Sequence, residues 1–510
     1  MPSSFQNIRV STLEVEEGDV FFCSRDAERY LNSDIFKKVS LFFCESGFFD
    51  RNENCSDLLS SFKDKIVELS GGDFHRKLVS LLKERYPIKS KLIAITGTKG
   101  KTSSCWFISQ LLQKSGFSCG YIGTLGVYFF NKSGEINHLK KPELTTPNIG
   151  DLYINLNNLS NLGSDIIVFE ASSHALQQGR LDGLEVDCAC FTNLSQDHLD
   201  YHGTMNNYFL AKSLLFSQYL KSSGIAILNR NDEKLFQQLF DICNANGNKI
   251  LSFGENSKCD LSIKSISQNG VIQKVLFHFL GQNFEFETYI IGEFQIYNII
   301  LAILSCHQVC DISVSELCDR VQEITAPLGR MEIVKNPEIR TNATFIVDFA
   351  HSPKSLEESL LCAKSIYKNV IVVFGCGGDR DKKKRPIMFE IARCIADKVI
   401  ITTDNPRTEK PEDIIDDIIA TTKHNGDNNI LNDDFVKAEI SNIDKKYSVK
   451  NSSEPIVIVD RREAIRFAVE NFKDEKDTCV IIAGKGHEDY QIIGTKKTYF
   501  SDQEEILKNL

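Results

Sequence analysis

From Lys91 onward the chain alternates short apolar runs with stretches of helical period. "KLIAIT" opens onto a glycine turn and leads into "SCWFISQLLQKSG"; "SDIIVFEASS", "CACFTNL" and "GIAILN" continue as buried strands. Strands this apolar, separated by helix-length connections, predict a largely parallel sheet covered by helices. A second series follows Pro327: "TFIVDFA", "NVIVVFG", "DKVIITTD", "PIVIVD" and "TCVIIAG" predict a dinucleotide-fold-like α/β domain. Before Lys91 the pattern is mixed. "DVFFCS" and "VSLFFCES" read as strands and "FHRKLVSLLKERY" as an amphipathic helix, with Pro87 and a polar "KSK" as a linker. The expected domains are 1–88, 89–327 and 328–510, all within an α/β fold class. Residues 424–454, rich in Asn, Asp and Lys, are expected to form an extended surface loop or insertion.

A net charge of −10 argues against a general nucleic-acid binder. The N-terminus has no apolar core and no run of 18 apolar residues occurs, so a cytoplasmic protein without membrane insertion is expected. The 16 cysteines are scattered, which suits reduced thiols. Cys306 and Cys310 fall inside an apolar helical run and read as buried structural residues rather than a metal site.

Three clusters carry chemistry. "KLIAITGTKGKTSS" resembles a phosphate loop but has Ile95 where the usual G-x-x-x-x-G-K-[ST] pattern has its first glycine. The loop is tighter: Gly97, Thr98, Lys99, Gly100, Lys101, Thr102, with Ser103 following. A strand before it and a helix after it supply backbone N–H groups and a helix N-terminus for phosphate. Lys101 then neutralises β/γ-phosphate charge and Thr102 offers a hydroxyl to Mg²⁺; the competing reading is a structural glycine turn. In "FEASSHALQQGRLDG", Glu170 ends a buried strand, where it either takes Mg²⁺ or caps the next helix. No G-x-S-x-G elbow accompanies Ser173-His174, which argues against a hydrolase. In "FTNLSQDHLDYHGTMNNYFLAKSLLF", Asp197, His198, Asp200 and His202 crowd a loop, and Lys212 follows among apolar neighbours. That lysine either snorkels to solvent or is converted by CO₂ to a metal-binding carbamate.

In this order the motifs resemble the Mur ligase family, and within it the members that add the third residue of the cell-wall peptide. The resemblance runs from about residue 90 to the end. It includes "GTKGKTS", "LTTP", "EASSHAL", "DHLDYHG", "AKSLLF", "GEFQIYN", "GRME", "VDFAHSP", "FGCGGDRDKKKRP", "TDNPRTEKP", "DRREAI" and "AGKGHEDYQ". It implies a three-domain architecture: a small mixed N-terminal domain, a central ATPase domain and a C-terminal amino-acid-binding domain. The implied reaction is ATP-dependent addition of meso-2,6-diaminopimelate to UDP-N-acetylmuramoyl-L-alanyl-D-glutamate through an acyl phosphate, by a protein expected to be a monomer.

The resemblance also implies residue roles. The loop from Gly97 to Ser103, Asn298, Arg330, Asp348 and His351 would contact ATP. Thr102, Glu170, His198 and a carbamylated Lys212 would hold Mg²⁺; Lys101, Glu170, His198 and Lys212 form the catalytic set. Thr12, Thr145, Thr146, Ser172, Gln178 and Arg180 would contact the UDP-muramoyl dipeptide. Arg380, Asp404, Asn405, Pro406, Arg407, Gly484 and Glu488 would recognise diaminopimelate. Ser11-Thr12-Leu13 stands where the family usually has a D-S-R type motif, while Lys99 and Gln295 replace frequent asparagines. A folylpolyglutamate synthase would share the loop and the lysine but not "DNPR" with "GKGHE". A lysine-adding ligase would lack the arginine of "DNPR". A pure precursor-binding protein would have no need of the metal and phosphate residues.

Overall fold

The computed structural model describes residues 7–12, 15–28, 30–52, 61–336, 338–422, 430–431, 433–447 and 454–510. The chain divides into two compact units. The first runs to Ser265 and includes Leu276–Phe286 and Tyr297–Ile324; the second holds Ile266–Val275, Glu287–Ile296 and Thr325–Leu510.

The first unit begins with a parallel four-stranded sheet, β1 (Ile8–Arg9), β2 (Val20–Cys23), β3 (Leu41–Glu45) and β4 (Ile66–Leu69), in that order. The helix Gly71–Arg85 is capped by the Ser70 hydroxyl and buries Phe74, Leu78, Leu81 and Leu82 on one stripe. These side chains join Ile8, Phe22 and Phe43 in a core that continues into Leu92, Ala94, Leu152 and Ile167. Arg9 adds a polar tie, its guanidinium 3.1 Å from Asp19 and 3.4 Å from Asp151.

The central strands are β5 (Lys91–Thr96), β6 (Cys119–Gly123), β7 (Gly126–Phe130), β8 (Ile136–Lys140), β9 (Ile166–Glu170), β10 (Val186–Phe191), β11 (Leu220–Asn229), β12 (Lys249–Gly254), β13 (Leu261–Asn269), β14 (Ile272–Phe279) and β15 (Gln282–Thr288). Their order is β15-β14-β13-β12-β11-β10-β5-β9-β6-β7-β8. From β13 to β6 the pairs are parallel, as the apolar runs predict; β7 and β8 add an antiparallel edge. The apolar-run rule does not reach β13 to β15, where polar and apolar residues mix because one side of the strands meets water.

The second unit contains β16 (Glu332–Val334), β17 (Thr344–Asp348), β18 (Asn369–Phe374), β19 (Lys398–Ile401), β20 (Ile456–Val457) and β21 (Thr478–Ala483), ordered β16-β17-β21-β18-β19-β20. All pairs are parallel except β16 with β17. The two-residue side-chain period splits each strand between two cores: Ile346, Val370, Val372 and Ile481 on one face, Phe345, Val347, Ile371 and Val480 on the other. Both faces are thus covered by helices, as a parallel sheet requires. A hairpin of β22 (Tyr490–Ile493) and β23 (Lys496–Tyr499) follows.

One expectation fails here. Much of 424–454 lies outside the described residues, but Asp434–Tyr447 is a helix rather than a loop. Val436, Ile440, Ile443 and Tyr447 recur at helical spacing and pack on the sheet's first core. The surrounding Asn/Asp/Lys composition hides that stripe.

Candidate active site

Strands β10, β5 and β9 are adjacent and parallel, so their C-terminal ends form one crest. This is where open α/β sheets bind ligands. The three clusters found in the sequence lie along it.

At the centre is the tight loop. Gly97 has φ +143° and Gly100 φ +84°; a β-carbon would come within 1.9 Å of Thr192 Oγ1 and 2.4 Å of Asn298 Oδ1 respectively. The second contact places Asn298 against the loop. Thr192 Oγ1 and Asn193 Nδ2 donate to the Lys99 carbonyl, and the Lys99 N–H donates to Asn193 Oδ1, pinning the loop from β10. The helix Lys101–Lys114 starts at Gly100, leaving its first N–H groups at the crest. The Lys101 ammonium folds over the loop and donates to the Gly97 and Thr98 carbonyls at 2.8 Å each.

Glu170 is 1% exposed and accepts from Thr102 Oγ1 (2.9 and 3.0 Å), Tyr121 Oη (2.9 Å) and Thr124 N (2.8 Å). It does not cap the next helix: the Ser172 hydroxyl does, accepting from Ala175 N. Every donor among these contacts is neutral. A buried carboxylate so held, touching a hydroxyl on the phosphate loop, is a donor set that fits a hard cation.

Lys212 does not snorkel. It is 1% exposed, donates to the Gly97 carbonyl at 2.7 Å and lies 4.4 Å from the Tyr208 ring centroid. Burial, aided by the Lys101 charge, pushes its pKa well below the usual lysine range. His198 stands apart from this pair. Its backbone has φ +52° and its ring lies 5.0 Å from His174 and 6.1 Å from Tyr208. Burial lowers the pKa of His174 and His202, with neighbouring histidines adding to it. The structure therefore joins Thr102 to Glu170 and sets Lys212 against the loop, while His198 belongs to an aromatic cluster beside them.

Thr145, Thr146, Ser172, Gln178 and Arg180 do converge. Thr146 Oγ1 donates to the Glu170 carbonyl (2.7 Å) and accepts from Ser172 N (3.0 Å). Arg180 donates to the Thr146 carbonyl and to Gln178 Oε1, and Thr124 Oγ1 reaches Thr145 Oγ1 at 3.4 Å. Thr12 follows β1 and has no bond to this group among the described residues; Leu13 lies outside them. Cys306 is fully buried in a helix, as expected of a structural thiol, whereas Cys310, one turn on at the helix end, is only partly buried.

In the second unit, Asp348 ends β17 and accepts from Met331 N (2.7 Å), Ala350 N (3.1 Å) and Ser359 Oγ (2.8 Å); burial raises its pKa against these donors. The Arg330 guanidinium lies 4.7 Å from the Phe349 ring, and its buried Nε has no hydrogen-bond partner among the described residues. An unmatched guanidinium donor suits an anionic ligand. His351 Nδ1 meets the Phe349 carbonyl at 2.8 Å.

The predicted amino-acid residues gather at the ends of β18, β19 and β21. Asn405 Nδ2 donates to Glu488 Oε2 at 2.9 Å, and Gly484 follows β21 with φ +119°. Pro406 packs its carbonyl against Gly378, where a β-carbon would come within 1.9 Å. Arg407 donates to the Gly378 carbonyl at 2.7 Å, and Arg380 approaches it beside Gly377. Glu409 binds Arg385 (2.9 Å), so it is not the partner of Arg407. Sequence reasoning missed Tyr121, Thr124, Arg461 and above all Lys485, which is wholly buried beside Asp404, Asn405 and Glu488. The signal was a lysine between two glycines at the end of an apolar strand.

Fold and crest together define a phosphate-loop α/β protein with a second, parallel-sheet unit. Family profiles match residues 95–306 to the Mur ligase middle domain and 329–486 to the Mur ligase glutamate ligase domain. The chain belongs to the Mur ligase family. It is 37% identical over 497 residues to the UDP-N-acetylmuramoyl-L-alanyl-D-glutamate–2,6-diaminopimelate ligase of Rickettsia conorii, covering 94% of each chain. It is 32% identical to ligase 1 of the same name from Clostridium acetobutylicum, covering 99% of this chain and 95% of that one. A solved structure of a ligase with this name superposes with TM-score 0.65 at 28% identity, covering 99% of this chain and 94% of the other. MurF of Thermotoga maritima, solved with ADP, shares the fold at TM-score 0.58 and 14% identity, covering 99% and 96%.

Proposed function

We propose that this chain is an ATP-dependent, peptide-bond-forming ligase that adds meso-2,6-diaminopimelate to UDP-N-acetylmuramoyl-L-alanyl-D-glutamate in peptidoglycan precursor synthesis. The observation that carries the reading is the crest of β10, β5 and β9, which sets the phosphate loop, Glu170 and Lys212 side by side. Relatives of that name align with nearly the whole chain.

A carboxylate is a poor acyl donor because oxide is a poor leaving group. Phosphoryl transfer from ATP converts the D-glutamyl carboxylate to an acyl phosphate and releases ADP. The incoming amine attacks the carbonyl carbon, loses a proton, and phosphate leaves with the electron pair of the broken C–O bond. The loop 97–103 holds the ATP phosphates, with the Lys101 ammonium turning from its two carbonyls onto them. Thr102, Glu170, His198 and a carbamylated Lys212 would hold Mg²⁺, which supplies neutralising charge near the phosphates. Asn298, Arg330, Asp348 and His351 complete the ATP contacts. Thr12, Thr145, Thr146, Ser172, Gln178 and Arg180 orient the UDP substrate, and the Arg407–Glu488 pocket orients the amino acid. We assign the UDP substrate to residues 1–88, ATP binding to 89–327 and amino-acid binding to 328–510, in a monomeric cytoplasmic enzyme. Among the described residues no helix is long and apolar enough to cross a membrane.

A lysine-adding enzyme is the second reading. Arg407 weighs against it, because its guanidinium contacts only carbonyl oxygens among the described residues and is available to a second carboxylate. The test is ADP release with the UDP-muramoyl dipeptide and a panel of amino acids. Diaminopimelate is expected to be the preferred substrate; no amino-acid-dependent release with any of them sinks the ligase reading.

A further inference from the structure

We propose that Lys485 is the positioning residue of the amino-acid pocket: its buried ammonium holds Asp404, Asn405 and Glu488 in the arrangement that receives a zwitterionic amino-acid head. The inference rests on the amino-acid-adding reading above and deepens it.

Lys485 follows β21 between Gly484 (φ +119°) and Gly486 (φ +54°). A β-carbon on Gly486 would lie 2.7 Å from Phe349 Cβ, so the chain can turn there only with glycine, and the turn sends Lys485 inward. Its side chain is 0% exposed. The ammonium lies 3.5 Å from Asp404 Oδ1, 3.3 Å from Asn405 Oδ1 and 3.3 Å from Glu488 Oε2. None of these is the short bond of a committed ion pair, so the charge sits among three oxygens rather than on one. The Tyr490 ring centroid lies 5.4 Å from the ammonium and the Phe500 centroid 6.0 Å. A buried ammonium must be matched by oxygens, which makes it a fixed centre for them.

Charge sets what the pocket can receive. Asp404 and Glu488 carry two negative charges against one on Lys485, leaving one in excess for a substrate ammonium. Arg407, on the carbonyls of Gly378 and Asn405, offers a positive charge for a carboxylate. With Arg380 adding a further positive charge beside Gly377, both signs are present to complement an amino-acid head. Arg461 braces the assembly. It is held by Asp502 at 2.8 Å and donates to the carbonyls of Thr403 (3.3 Å) and Ala483 (3.1 Å), the residues just before Asp404 and Gly484.

The experiment is steady-state kinetics of Lys485→Met and Lys485→Arg in the full-length enzyme, varying each substrate in turn, with thermal midpoints. Lys485→Met is expected to raise KM for diaminopimelate at least about 30-fold, because Asp404 and Glu488 lose their cation. KM for ATP and for the UDP substrate should stay unchanged. Lys485→Arg keeps the charge and should recover part of the loss. An unchanged KM for diaminopimelate overturns the proposal. So does a parallel rise of all three KM values with a lowered midpoint, which would mark a merely structural lysine. If Lys485→Met does not fold, Lys485→Gln, which keeps a polar head without the charge, decides: a selective rise of about 10-fold supports the role and no change overturns it. The wild type runs beside them on the amino-acid panel. If it prefers another amino acid, the substrate assignment fails and the KM comparison is made with that one; if it uses none, both proposals fall.

Discussion

At the scale of single residues, the role proposed for Lys212 opposes the stability of the fold. A lysine amine with almost no exposure, next to the Lys101 charge, is driven toward its neutral form. A neutral amine is the species that attacks CO₂; one N–C bond forms and one proton leaves, giving the carbamate anion. Removing the amine should therefore abolish activity while relieving a buried polar group. Lys212→Met is expected to lose turnover and to unfold at a higher temperature, by about 2–4 °C for each kcal/mol regained. Lys212→Ala should be partly rescued by a short carboxylic acid. A ¹³C carbamate resonance from ¹³CO₂, present in the wild type and lost in both variants, checks the modification; its absence from an active wild type sinks it. In the proposed reading Arg407 carries the selectivity. Left without a carboxylate by lysine but matched by diaminopimelate, it should discriminate by about 10²- to 10³-fold in kcat/KM. Arg407→Ala should raise KM for diaminopimelate and narrow that gap, and equal wild-type kcat/KM for the two amino acids would end the argument.

At the scale of elements, the turn after β21 combines two devices. Its glycines aim Lys485 inward, and the next residue but one, His487, packs 5.0 Å from the Phe349 ring. Burial, with the Arg330 charge, lowers the His487 pKa from 6.5 to about 4. The fold therefore keeps this imidazole neutral where the unfolded chain would take up a proton. The stability it contributes is full above pH about 6.5 and is lost as pH falls toward 4, on the order of 3 kcal/mol in all. His487→Gln should flatten the acid side of a plot of thermal midpoint against pH, and parallel curves for the two proteins would show that the histidine has no such part. The glycine loop and the strand that leads into it were legible in the sequence because spacing alone defines them. The helix Asp434–Tyr447 was not, since its four packed apolar residues are diluted by polar neighbours.

At the scale of the whole molecule, the thiols report on the environment the fold supports. The described cysteines are all free, and thirteen of them are buried. Desolvation raises the pKa of most of them, with Cys119 pushed to about 12, so few thiolates are available to react. Reductant is expected to leave the thermal midpoint unchanged, where a structural disulfide would contribute about 2–5 kcal/mol. Among the described cysteines, native alkylation followed by mass spectrometry should favour Cys310 and Cys362, which are only partly buried. Strong reductant sensitivity or uniform labelling of the native protein would contradict this.

The sequence by itself determined the α/β class, the tight phosphate loop and the order of the motifs, because each is written in local periodicity and spacing. It also determined the residue types at the crest. Tertiary structure alone decided which alternatives hold. Glu170 is not a helix cap because Ser172 takes that place, and Lys212 is buried rather than snorkelling because its amine turns to the Gly97 carbonyl and the Tyr208 ring. Arg407 is spared from Glu409 because Arg385, distant in sequence from both, reaches it first. Lys485 acquires its role only when β19 and β21 bring Asp404, Asn405 and Glu488 around it. Pairings across tens of residues depend on which strands lie side by side, and strand order is a property of the folded chain rather than of any local stretch.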